Sequence, residues 1–168
     1  RGSGSKRAID LLQLMIDSGG VPDARHFTAA MKVCAKEPDS AEALNIIQQM
    51  QDMGVTADIR SWTVLLHAFG GAGQVDQMMA KYRELRSTGL QPDIVIMTTM
   101  LAHAAAAGRC STAEDIWREL HDLQLAPSVR TYTALLDCYA KAKDPAKAEA
   151  VFAEMCQSTN GIKPDARS

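Results

Sequence analysis

Aromatic residues make up only 5% of this 168-residue chain, although 46% of it is hydrophobic. A core of that kind rests on alanine, leucine and methionine, which favour helix, rather than on the aromatic and β-branched residues that strands collect. Long apolar runs are missing as well. None approaches the roughly 20 residues that a membrane-spanning helix needs, so no membrane insertion is expected. Neither sign of charge dominates: the net charge is −2, which gives no support for non-specific binding of polyanions.

The chain is equally poor in reactive constellations. Its cysteines, Cys34, Cys110, Cys138 and Cys156, include no CxxC pair and join no His/Cys group with zinc spacing. They read as reduced, small apolar residues in a reducing compartment. His26, His67, His103 and His121 share no ligand spacing. No Ser/His/Asp or paired-carboxylate arrangement stands out, and no glycine-rich phosphate loop follows a strand. The expectation is a non-enzyme without metal, cofactor or small-molecule substrate.

What the chain does contain is repetition. Ala24–Asp58 lines up with Ile59–Asp93 after a shift of 35 residues, and a second shift reaches Ile94–Ser128. A third gives Val129–Asp165, two residues longer, and Ala166–Ser168 begins a further copy. Self-similarity at such a period means stacked small units, each packing on its neighbours as a solenoid. Arg1–Ser5 reads as a linker or vector remnant. Lys6–Asp23 matches only the second half of a repeat, with Ala8, Ile9, Leu11, Leu12 and Met15 on one helical face. That helix needs a partner, so Ile9, Leu12 and Met15 are expected to be covered by another chain or by residues outside this sequence.

Within each full repeat the first helix carries apolar residues at positions 4, 7, 8 and 11. These are Phe27, Ala30, Met31 and Cys34; Trp62, Leu65, Leu66 and Phe69; Met97, Met100, Leu101 and Ala104; and Tyr132, Leu135, Leu136 and Tyr139. Such spacing lays one buried stripe along a helix. The second helix pairs a residue with a Met or Leu seven further on: Ala43/Met50, Met78/Leu85, Ala113/Leu120 and Ala148/Met155. Units close on glycine followed by Pro-Asp or its remnant, at Gly19, Gly54, Gly89 and Gly161, while the third has Gln124 and Ser128 instead. A glycine there supplies the left-handed residue that ends a helix, and proline prevents continuation. The fold class is all-α, an α-solenoid of helix–turn–helix repeats in a right-handed superhelix, with the first helices lining the concave side.

A second flank of the first helix, at positions 2, 5, 9 and 13, lies away from the apolar stripe. It carries Arg25, Thr28, Lys32 and Lys36, then Arg60, Thr63, His67 and Gly71. Next come Val95, Thr98, Ala102 and Ala106, then Arg130, Thr133, Asp137 and Lys141. Threonine recurs at position 5 in all four copies although it forms helices poorly. It either bonds the carbonyl four residues back or faces a ligand, and the arginines and lysines are either a binding set or solvated surface. Acidic residues gather in the second helices, so the near-neutral total conceals a basic inner and an acidic outer face.

The period, the large residue at position 4 and the closing G-x-x-P-D together resemble the pentatricopeptide repeat, from Lys6 to Asp165. The tetratricopeptide W-x2-L-G-x2-Y opening is absent. Members of the resembled family bind single-stranded RNA, one nucleotide per repeat, in mitochondria or plastids. There, position 5 and the last residue of a repeat hydrogen-bond a base edge, and position 2 residues sandwich the base. The resemblance therefore implies the base-reading pairs Thr28/Asp58, Thr63/Asp93, Thr98/Ser128 and Thr133/Asp165. It implies Arg25, Arg60, Val95, Arg130 and Arg167 as sandwiching residues, and Lys36 and Lys141 as phosphate contacts. Thr/Asp resembles a guanine reader and Thr/Ser leans to adenine, which gives G-G-A-G. The alternative is a scaffold or structural subunit of an organellar assembly, contacting protein through its acidic face or open ends.

Overall fold

The computed structural model describes residues 4–36 and 39–157. Among them are nine α-helices and no strand: α1 (Gly4–Asp17), α2 (Ala24–Lys36), α3 (Ser40–Asp52), α4 (Ile59–Gly71), α5 (Val75–Ser87), α6 (Ile94–Ala106), α7 (Cys110–Asp122), α8 (Val129–Ala142) and α9 (Pro145–Gln157). Helices α2, α4, α6 and α8 begin at residues 24, 59, 94 and 129. First helices are α2, α4, α6 and α8; second helices are α3, α5, α7 and α9, with α1 also of the second kind. The chain is an all-α helical-repeat solenoid. Helix α1 begins at Gly4, so its first turn takes in residues that composition assigned to a linker.

Two compact units divide the chain, residues 1–91 and 92–168. In the first, α2 packs against α1, α3 and α4, and α4 against α5. In the second, α6 packs against α7 and α8, and α8 against α7 and α9. First helices therefore lie side by side within a unit. Second helices of the second unit meet through long side chains instead, as in the ion pair of Lys147 with Glu114, 2.7 Å apart across α9 and α7.

Every one of the sixteen stripe residues is buried, from Phe27, Met31 and Cys34 at 0% exposure to Leu136 at 7%. Burying a side chain of the Leu, Met or Phe class stabilises by roughly 1.5–3 kcal/mol, so this stripe is the main source of cohesion. Small residues of the second helices, Ala43 and Ala113, are also fully buried and admit close approach of the partner helix. Caps follow the repeat. The side chains of Asp58, Asp93 and Ser128 accept from the backbone N–H of Ser61, Ile96 and Thr131, starting α4, α6 and α8. Left-handed residues close the second helices at Gly19, Gly54 and Gly89, and Gln124 takes the same conformation (φ 54°) where the third repeat lacks its glycine.

Two expectations need correction. The cysteines are not all separate thiols: Cys110 and Cys138 form a disulfide, their Cα atoms 5.7 Å apart, while Cys34, buried, and Cys156, exposed, remain thiols. No motif signals that pair, because its members are 28 residues apart and meet only where the start of α7 packs on α8. In α1, Leu12 is buried at 6%, whereas the uncovered residues are Leu11 (66%) and Leu14 (63%). Packing on α2 and α3 turns the Leu12 edge of the apolar face inward and leaves the other edge open.

Candidate nucleic-acid interface

Helix-terminal capping places the residues of interest. Because Asp58 caps α4, its carboxylate stands at the start of one first helix and beside the flank of the preceding one. Its Oδ1 accepts from the backbone N–H of Ser61 and from the Ser61 hydroxyl, both at 2.8 Å. Ser61 is fully buried, and its Oγ lies 3.0 Å from Oγ1 of Thr28. Thr28 on α2 and Asp58 before α4, thirty residues apart in sequence, are thus joined through one buried hydroxyl. Together with Ala24, Arg25, Ala29, Lys32 and Arg60 they line a cleft of about 280 Å³.

The third repeat builds the same junction from different groups. Thr98 Oγ1 lies 2.9 Å from Thr131 Oγ1, which lies 3.0 Å from Ser128 Oγ. Ser128 and Thr131 also form a reciprocal capping box at the start of α8. The sequence reading missed Ser61 and Thr131. The available signal was a hydroxyl at position 3, where the second junction's residue is Ile96.

The back-bonded reading of the position 5 threonines is seen in three of the four. Thr28, Thr63 and Thr133 each donate to the carbonyl four residues back, Ala24, Ile59 and Val129, at 2.7, 2.7 and 2.8 Å. That back-bond orients the side chain without removing its lone pairs from the flank. Thr63 stands in the first unit and Asp93 in the second. Asp165 and Arg167 lie outside the described residues.

Arg25, Arg60 and Arg130 are exposed, and Val95 is 56% exposed. Lys36 ends α2 on the surface. Lys141 is exposed too, but its Nζ donates to the carbonyl of Ala105 at 3.1 Å. On the second-helix side, Trp117 meets the Tyr132 ring edge-on at 5.2 Å between centroids, and the Tyr132 hydroxyl donates to Glu154 at 3.2 Å. Burial, with the Glu154 carboxylate second, pushes the Tyr132 phenol up to about 12. Among the described residues no group of three His, Cys, Asp or Glu could hold a metal ion.

The profile of the pentacotripeptide-repeat region of PRORP matches residues 2–94, more than half of the chain. The chain belongs to the pentatricopeptide-repeat (PPR) family. Two further PPR repeat profiles match residues 92–141 and 130–159. Curated proteins yield no match. Among solved structures, this PPR chain is similar to maize PPR10 in complex with an 18-nt psaJ RNA element, with TM-score 0.78 and 28% identity over 98% of its length. It spans 24% of the length of PPR10. It also shares its fold with the PPR domain of Arabidopsis thaliana protein-only RNase P 1 (PRORP1), solved in complex with tRNA. There the TM-score is 0.79 at 15% identity, covering 96% of this chain and 85% of that one.

Proposed function

We propose that this PPR chain binds single-stranded RNA along its first-helix flank, one base per repeat, with G-G-A-G as the approximate site. The observation that supports it most is the cleft in which Arg25 and Arg60 accompany Thr28, Lys32 and Asp58. Two planar guanidinium groups can stack on a base, a hydroxyl and a carboxylate can read its edge, and a lysine can meet phosphate. The RNA complexes of PPR10 and PRORP1 add to this reading, since they are the settings in which closely similar folds were captured. This reading assigns base reading to Thr28/Asp58, Thr63/Asp93, Thr98/Ser128 and Thr133/Asp165. Work in a mitochondrion or plastid, in RNA processing, stability or translation, follows from family resemblance.

Titration of labelled GGAG and CCUC oligonucleotides at low salt tests the proposal. A handful of bases with few phosphate contacts makes a modest complex whose affinity falls with salt. Preferential binding of GGAG is expected. Absence of binding to either strand at tens of micromolar would turn the assignment to a protein scaffold.

A further inference from the structure

Resting on that RNA-binding reading, we propose that position 3 of the following repeat, Ser61 in the first unit and Thr131 in the second, is a base-selecting position. It orients the two reading side chains and sets whether the pair can offer a proton to the base.

Proton counting carries the inference. In the first unit the contacts run Thr28–Ser61–Asp58, at 3.0 and 2.8 Å. Two hydroxyls bring one proton each, and a carboxylate only accepts. The Ser61 proton therefore goes to Asp58, and the one Thr28 proton goes either to Ser61 or back along its own helix. The other acceptor within reach of Thr28, the Ala24 carbonyl, also lies inward along the helix. No proton is left for the cleft. Thr28 Oγ1 and the second oxygen of Asp58 present lone pairs alone. Such a pair fits guanine, whose Watson–Crick edge carries two neighbouring N–H donors, and repels the ring-nitrogen acceptor of adenine.

In the second unit the contacts run Thr98–Thr131–Ser128, at 2.9 and 3.0 Å. Three hydroxyl protons now serve two contacts. Whichever way the chain is directed, one terminal hydroxyl keeps a proton to donate and the other terminal oxygen accepts. One donor beside one acceptor matches adenine, whose edge carries an amino group and an unprotonated ring nitrogen. Because Ser61 and Thr131 are both 0% exposed, water cannot substitute for either hydroxyl. Both sit at position N3 of their helices, where the capping aspartate or serine bonds them, so their location is set by the same contacts that start α4 and α8.

The experiment measures binding of RNAs with GGAG and AGAG cores in a common oligo-uridine context to the unaltered chain, Ser61→Ala and Ser61→Thr. The unaltered chain should prefer GGAG. Ser61→Ala should reduce that preference at least threefold, and Ser61→Thr, which keeps the hydroxyl, should restore it. A preference retained in full by Ser61→Ala overturns the proposal and leaves RNA binding standing. Equal loss of thermal stability and of all binding in both variants overturns it as well, since it assigns Ser61 to packing alone. If the unaltered chain binds neither RNA, the RNA-binding reading fails and takes the proposal with it.

Discussion

Lys141 ties α8 to α6: its Nζ donates to the carbonyl oxygen of Ala105, 3.1 Å away, in the last turn of α6. A cation at the carbonyl end of a helix stabilises by roughly 0.3–1 kcal/mol. Lys141→Ala is therefore expected to lower the melting temperature measurably. Lys36 at the end of α2 is expected to behave differently. Lys36→Ala, which among the described residues breaks no bond to a neighbouring helix, should lower melting less than Lys141→Ala, weaken RNA of every sequence alike, and reduce the slope of log affinity against log salt by about 0.7, the share of one phosphate contact on a single strand.

Converting Ser128 to aspartate gives the third junction a carboxylate like that of Asp58. The hydroxyl protons of Thr98 and Thr131 would then both be directed toward that carboxylate. Ser128→Asp should move the third base from adenine toward guanine, read as a higher affinity for a GGGG core than for GGAG. Unchanged preference would show that the last residue does not read the base in this repeat.

Gln124 holds φ at 54°, in the slot that Gly19, Gly54 and Gly89 fill elsewhere. A side chain in that region costs roughly 1–2 kcal/mol, of which glycine returns about 0.5–1 as extra entropy of the unfolded chain. The net gain expected for Gln124→Gly is on the order of 0.5–1 kcal/mol, measured as a shift of the denaturant midpoint.

Alkaline titration should report on Tyr132. Burial, then the Glu154 carboxylate, raises its folded value to about 12, and Tyr139 is raised by burial and by Glu114. An unfolded tyrosine ionises near about 10. Below that pH both states hold the proton and stability is flat. Between the two values the unfolded chain releases it while the folded one retains it, so stability falls as pH rises. Tyr132→Phe should flatten this decline by an amount on the order of 2 kcal/mol. Denaturant melts from pH 8 to pH 12 provide the check.

The disulfide gives a redox-dependent melt. It closes a separation of 28 residues, for which chain entropy accounts for about 3–4 kcal/mol. Dithiothreitol should lower the stability of the chain and leave Cys110→Ser/Cys138→Ala unaffected. Those substitutions reproduce Ser40 and Ala68, the buried residues at the equivalent positions of the first unit.

The apolar spacing of the first helices was enough to place all sixteen stripe residues inside, because burial along a helix is a one-dimensional property of the sequence. The same holds for the closing turn, where the glycine pattern marked the left-handed residue even in the copy that lacks glycine. Contacts between repeats were not legible in that way. Thr28 meets Ser61 and Thr98 meets Thr131 across 33 residues, and nothing in local periodicity tells which side chains of adjacent helices come within hydrogen-bond distance. In α1 the width of the apolar face was readable, but which edge stays open depended on how α2 and α3 sit against it. Leu11 and Leu14, not Leu12, are the exposed ones.

The Thr28–Ser61 bond crosses the boundary between Asp58 and Ile59, so a 35-residue block cut there parts Thr28 from the hydroxyl it meets. Repeats exchanged as cassettes would inherit whatever stands at position 3 of their new neighbour, an isoleucine in one case and a serine or threonine in others. Splicing three residues later, after Ser61 or Thr131, keeps each position 5 threonine with its hydroxyl partner. For anyone assembling artificial arrays from such modules, the joint belongs inside the first turn of the next helix.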